Sequence, residues 1–176
     1  MRELELCMDK SNIILIGFMG TGKSTVGKVL AKALDWNFID TDLEIQEITN
    51  SSIPDIFRRH GETRFRSEEE NLVKRLAGLE KHIIATGGGT VLHGENWKEL
   101  AHNGVMVALY APLEIIYERI GNKNDRPLLK GDPEEVKVLW EKRQPIYAQA
   151  DVTIDTTDKS VEEVVEEILR VIEGEK

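Results

Sequence analysis

The stretch Ile13-Ile14-Leu15-Ile16-Gly17-Phe18-Met19-Gly20-Thr21-Gly22-Lys23-Ser24 decides how this chain folds. Four apolar residues, three of them isoleucines, have the length and β-branched character of a short strand buried on both faces. The next eight match G-x-x-x-x-G-K-[ST] and run into a helical pattern, which is the strand–loop–helix setting that the phosphate-cradling Walker A motif requires. Consecutive backbone N–H groups and a helix N-terminus face the anion in such a loop, the lysine reaches the β and γ phosphates, and the following hydroxyl binds Mg²⁺. Gly17, Gly20, Thr21, Gly22, Lys23, Ser24 and Thr25 are therefore the candidate nucleotide-binding residues. Lys23, on what reads as a solvent-facing loop, is also a candidate catalytic residue, and Ser24 a candidate metal ligand. A chance glycine-rich turn is the bland alternative, and the flanking strand and helix patterns count against it.

Outward from this loop, apolar runs at 12–17, 37–40, 82–86, 105–110 and 152–155 have strand length and polar or turn-forming borders. Helical patterns fill 23–34, 42–48, 54–79, 95–103, 112–120, 133–150 and 160–172. The alternation predicts an α/β fold, a parallel sheet with helices on both faces. Pro54, Pro112 and Pro133 suit first helical turns, where a missing N–H costs nothing. Ser160 with Glu163 reads as a capping box. Residues 121–132, GNKNDRPLLKGD, are rich in Gly, Asn and Asp and read as a mobile flap between two helices.

At 176 residues and 19.9 kDa the chain is read as a single domain, 1–176. The 23 basic and 32 acidic residues give a net charge of −9, which argues against nucleic-acid or anionic-membrane partners. Any anion must meet a local basic pocket. The single cysteine, Cys7, excludes an internal disulfide and a cysteine-built zinc site, and fits a cytoplasmic protein. The N-terminus has no signal-peptide core, and no apolar run approaches the ~20 residues of a membrane span. The acidic stretch 162–175 reads as a solvated helix face, and His60, His82, His93 and His102 lack metal-ligand spacing and read as surface or cap residues.

Three further motifs carry chemistry. Asp40-Thr41-Asp42 ends the second strand, where ligands of an open α/β sheet collect. The bland reading makes Asp42 the N-cap of the next helix. The functional reading makes Asp40 a metal ligand, because the third strand ends without the aspartate that many such proteins place there. That strand runs instead into Thr86-Gly87-Gly88-Gly89-Thr90, whose glycines can hold positive φ and let backbone approach a ligand closely. Arg58, Arg59, Arg64, Arg66, Arg119, Arg126 and Arg143 are the candidate anion-binding cations, with Arg66 and Arg126 favoured by context.

Taken in order, GFMGTGKSTVG, FIDTD, FRSEE, ATGGGTV, RPLL and RQPIYAQAD resemble the shikimate kinase family over nearly the whole chain after residue 10. The resemblance implies a three-layer P-loop kinase fold related to nucleoside monophosphate kinases: a five-stranded parallel sheet of order 2-3-1-4-5, a substrate-binding region at about 42–80 and a short lid at about 121–132. It implies that ATP, with Mg²⁺, phosphorylates the 3-hydroxyl of shikimate on the chorismate route to aromatic amino acids, in a cytoplasmic monomer. By the same resemblance Asp42 holds the reacting hydroxyl, Arg66 and Arg143 the shikimate carboxylate, and Gly88 a ring hydroxyl through its backbone. Lys23 and lid Arg126 neutralise phosphate charge, Ser24 and Asp40 serve the metal, and Arg119 stacks on adenine. The loop 155–159, DTTDK, lacks an arginine that some members place near the adenine, with Lys159 as a partial substitute, and 1–10 lies outside the pattern. The alternatives are a gluconate kinase-like enzyme and a catalytically inactive nucleotide-binding regulator.

Overall fold

The computed structural model describes residues 11–120 and 132–174. Its strands are β1 (Asn12–Ile16), β2 (Asn37–Asp40), β3 (His82–Ala85), β4 (Gly104–Tyr110) and β5 (Val152–Asp155). Every pairing is parallel and the order is β2-β3-β1-β4-β5, so the order implied by the family resemblance is the observed one. The helices are α1 (Lys23–Leu34), α2 (Thr41–Thr49), α3 (Ile53–Leu76), α4 (Gly94–Asn103), α5 (Leu113–Ile120), α6 (Pro133–Tyr147) and α7 (Val161–Ile172).

The uninterrupted apolar run of β1 follows from its place at the centre of the sheet. Ile13 and Leu15 join a core with Val26 and Leu30 of α1 and Val164, Val165 and Ile168 of α7. Ile14 and Ile16 face the opposite way, into a core with Phe65 and Leu72 of α3, Leu100 of α4 and Ile116 of α5. Successive side chains of a strand point to opposite faces, so a strand covered on both sides reads as apolar, and the one polar residue of β1, buried Asn12 at its start, is satisfied by the Leu79 and Asn103 carbonyls and the His82 N–H. Register then brings the strand ends level: Ile16 pairs with Ala108, Asp40 with Ala85, and Tyr110 with Asp155. The loops that follow all emerge at this one edge.

Local chemistry explains most helix ends. Pro54 and Pro133 lie in first turns, and Asp132 caps α6 through the N–H of Glu134. Pro112 instead precedes α5, where its carbonyl accepts the N–H of Ile116. The long helical pattern at 54–79 is broken at Gly61, whose φ of 79° and ψ of 174° are open only to glycine. The capping box of α7 is complete: Ser160 Oγ accepts the Glu163 N–H at 3.2 Å, and the Glu163 carboxylate accepts the Ser160 N–H at 2.7 Å. Glu162, Glu163 and Glu166 lie on the exposed face, as the acidic stretch predicts. Ser160→Ala removes one half of this reciprocal pair and is expected to cost about 1 kcal/mol. Thermal unfolding followed by circular dichroism should show Tm falling by roughly 2–4 °C with activity intact.

Candidate active site

The loop after β1 builds the first part of the site. Gly17 has φ of 139°, and a Cβ there would overlap the Leu109 carbonyl, so the tight exit from the sheet is closed to other residues. No side chain caps α1 and no acidic residue occupies its first turn, which leaves the positive end of the helix dipole open to an anion. The Lys23 side chain does not face solvent as the sequence suggests. It is buried, and its Nζ donates to the carbonyls of Gly17 and Phe18, both at 2.8 Å, folding back across the loop it serves.

Of the two aspartates at the end of β2, Asp40 takes the cap that the plain sequence reading gives to Asp42 and keeps its place beside Ser24. Asp40, not Asp42, is the N-cap of α2: its Oδ1 accepts the N–H groups of Asp42 at 3.1 Å and Leu43 at 3.3 Å. With two aspartates only two positions apart, pattern alone could not separate cap from first turn. The other oxygen, Oδ2, accepts the Ser24 hydroxyl at 2.5 Å. A hydroxyl and a carboxylate oxygen thus meet beside the phosphate loop, and this hard-oxygen pair suits Mg²⁺. Among the described residues no group of three or more His, Cys, Asp or Glu could hold a metal.

The three glycines after β3 each carry a different functional side chain above them. A Cβ on Gly87 would overlap Asp42 Oδ1, one on Gly88 would lie 3.3 Å from Arg143 Nη1, and one on Gly89 would lie 2.7 Å from Arg66 Nη1. None of the three has positive φ, so of the two properties expected of them the structure uses the small bulk that permits close approach and not the left-handed backbone. Thr41 locks the strip in place, its Oγ1 accepting the Gly87 N–H at 2.9 Å. Asp42, Arg143 and Arg66 come from α2, α6 and α3, and only the fold brings them to one strip of backbone.

The two arginines have different surroundings. Arg66 Nη1 contacts Glu69 at 2.5 Å, while Nε and Nη2 reach Glu62 at 3.2 and 3.1 Å. Burial disfavours its charge, but Glu69 and then Glu62 outweigh that and raise its pKa above the usual guanidinium value. Glu69 is 1% exposed and also accepts the Thr90 hydroxyl at 2.6 Å, whereas the Glu62 side chain is 67% exposed. Arg143 is 8% exposed, lies 5.6 Å from the Phe18 ring centroid, and makes no ion pair among the described residues. Its Nε is buried without a hydrogen-bond partner. A cation removed from water without a counter-charge is a site for an anion.

A cleft of about 530 Å³ runs from the phosphate loop to Asp42 and Gly88, lined among others by Lys23, Ser24, Asp42, Gly88, Arg119 and Lys159, while Arg66 and Arg143 are not among its lining residues. At the far wall Arg119 Nη1 donates to Thr156 Oγ1 at 2.8 Å, and Nη2 donates to the Thr156 carbonyl. Lys159 is engaged by Glu167 at 2.5 Å. Arg58 and Arg64 make helical ion pairs with Asp55 and Glu68, and Arg59 is exposed, so none of the three enters the strip. His60, His93 and His102 are exposed. Arg126 and the lid segment up to residue 131, like residues 1–10 with Cys7, lie outside the described residues.

Glu69, Thr41 and Tyr147 belong to this site and were not picked out from sequence. Glu69 follows Arg66 by three positions and Tyr147 follows Arg143 by four, helical spacings that place each beside its arginine. Thr41 had no such signal, because its partner is 46 residues away.

The sequence model of the family described as shikimate kinase matches residues 19–173. A shikimate kinase of Caldanaerobacter subterraneus subsp. tengcongensis is 48% identical over 161 residues, covering 90% of this chain and 94% of the relative. Among solved structures, shikimate kinase from Acinetobacter baumannii in complex with shikimate superposes with a TM-score of 0.88 at 34% identity, covering 96% of both chains. A gluconokinase from Sinorhizobium meliloti, at 17% identity and a TM-score of 0.61, covers 92% of this chain and 91% of its own, and shares the fold alone.

Proposed function

Because this chain belongs to the shikimate kinase family, we propose a division of labour for the residues around its glycine strip. The chain transfers a phosphoryl group from ATP to a hydroxyl of shikimate, a step in aromatic amino acid biosynthesis. The reading advanced here is that the accepting group is the 3-hydroxyl. Arg143 takes the shikimate carboxylate, joined by Arg66 as the exposed Glu62 gives way while buried Glu69 stays in place. The Gly88 backbone meets a ring hydroxyl, and Asp42 holds the reacting one. The observation that carries this reading is the buried Arg143 guanidinium, without a counter-charge among the described residues, on the same strip as the Asp42 carboxylate.

Phosphoryl transfer through a loose transition state needs an aligned nucleophile and neutralised oxygens. Asp42, on the first turn of α2, orients the hydroxyl and is placed to accept its proton. Lys23 leaves the Gly17 and Phe18 carbonyls for the phosphates, and the N-terminal N–H groups of α1 face the same oxygens. Ser24 and Asp40 would hold Mg²⁺, which supplies positive charge to the phosphate chain when bound. Arg119, fixed by Thr156, offers its guanidinium plane to the adenine. The protein is read as a cytoplasmic monomer that binds neither nucleic acid nor membrane. Its acidic charge and lone cysteine support this, and no described helix is long and apolar enough to cross a membrane.

The test is ADP release in a coupled assay with shikimate, gluconate and nucleoside monophosphates as acceptors. Turnover with shikimate alone is the expected result, and preference for gluconate would overturn the reading. A second prediction isolates Asp42. Gly87→Ala places a methyl group against its carboxylate, and a misaligned nucleophile is expected to lower kcat by about tenfold or more. The KM for ATP should stay within about twofold, because the phosphate loop is untouched. Steady-state kinetics with both substrates varied checks this.

A further inference from the structure

Tyr147 has no part in the reaction as described, yet it occupies the junction between the two substrate contacts. It is 4% exposed, and its hydroxyl donates to the Gly88 carbonyl at 2.7 Å across 59 residues of sequence. It lies one helical turn beyond Arg143 on α6, so both side chains leave the same face. A phenol has one proton to donate and lone pairs to accept with. With the proton committed to Gly88, the lone pairs are left for the Arg143 guanidinium, whose Nη1 lies beside the same glycine, 3.3 Å from where a Cβ on Gly88 would stand, and whose charge pulls the phenol pKa downward.

Pro145 lies between the two residues and supplies no N–H, which removes one rung of the α6 ladder at that turn. Among the described residues Arg143 is tied to its surroundings only loosely, with Nε unpartnered and one face toward the Phe18 ring. Burial pushes the Tyr147 hydroxyl up to about 12 against the opposing pull of Arg143, so at neutral pH it keeps the proton that it donates to Gly88.

We infer that Tyr147 is a positioning residue of the substrate site: its hydroxyl bridges Arg143 to the Gly88 carbonyl and sets the distance between the carboxylate-binding cation and the loop backbone that meets the substrate ring. The inference rests on the assignment of Arg143 and Gly88 made above. It adds that the carboxylate contact and the ring contact form one unit, so that shikimate is measured by the separation of its carboxylate from its hydroxyls.

Tyr147→Phe, which removes one oxygen and keeps the ring, is the test. Calorimetric titration should show shikimate bound about five- to twentyfold more weakly, with ADP affinity within twofold of the parent. The uncharged methyl ester of shikimate, which makes no ion pair with Arg143, should lose less than twofold. In an Arg143→Ala background the same change should add less than twofold, because the hydroxyl then has no cation to place. A purely structural role would weaken shikimate, its ester and ADP alike, and that outcome overturns the inference, as does shikimate binding within twofold of the parent. Should Arg143→Ala itself leave shikimate binding unaltered, the carboxylate assignment fails first, and the two failures are told apart. A measurement on the unaltered protein does not depend on the variant folding. With ¹³Cζ-labelled tyrosine, the Tyr147 resonance should move on addition of shikimate and stay in place on addition of the methyl ester. Equal movement with both, or none with either, overturns the bridge.

Discussion

Lys23→Met is expected to lower kcat by about 10²–10³-fold, a loss of roughly 3–4 kcal/mol of transition-state stabilisation, while the protein remains folded. The lysine is the one cation of the described phosphate loop, and it acts from a buried position. A charge there is worth far more to the γ-phosphoryl oxygens than a charge in water. Its side chain also holds two loop carbonyls in the free protein, so the variant should lose about 1–2 kcal/mol of stability as well. Far-UV circular dichroism separates that modest loss from the kinetic one. A variant retaining more than about a tenth of the parent kcat would remove Lys23 from the transition state.

Arg143→Ala is expected to weaken shikimate binding by about 2–4 kcal/mol, roughly 30- to 1,000-fold, with ATP affinity within about twofold. Its strength as a test comes from its surroundings. The guanidinium makes no ion pair among the described residues, so its removal strands no carboxylate among them. Arg66→Ala should weaken shikimate in the same direction but is a less clean experiment, because it leaves buried Glu69 without its guanidinium partner, held by the Thr90 hydroxyl. Lysine should replace neither arginine well, since an ammonium cannot make the paired, planar contact with a carboxylate. Calorimetry with each ligand separately decides the matter. Normal shikimate binding by Arg143→Ala would move the acid site elsewhere.

Much of the architecture was legible because its causes are local. The apolar run of β1, the phosphate-loop motif and the Ser160–Glu163 box each sit within a few consecutive residues, and the elements form where those residues are. Strand order is a different kind of fact. Alternating strands and helices imply a parallel sheet, but the placement of β3 between β2 and β1 came from likeness to a family and not from spacing. The site was legible in its residue types and less so in its relations. Asp40 and Asp42 could not be sorted into cap and first turn. The glycines after β3 are legible as a place of close approach, but the positive φ also expected of them is not used, and the side chains that need the room, Asp42, Arg143 and Arg66, are brought there only by the fold. Glu69 and Tyr147 went unnoticed because a buried glutamate and a buried tyrosine look, in sequence, like ordinary helix residues.

The three-glycine strip also has a consequence for redesign. Gly87, Gly88 and Gly89 lie beneath three side chains from three different helices, so each position addresses chiefly one of them, although bulk at Gly87 also presses on Thr90 Oγ1, which bonds Glu69 beside Arg66. Methyl groups added one at a time would work as separate adjusting screws, the first on the nucleophile's partner, the second and third on the two cations. On the proposed roles, an acceptor lacking a carboxylate would then be approached by bulk at Gly88 and Gly89, with Gly87 kept so that Asp42 stays free to meet a hydroxyl.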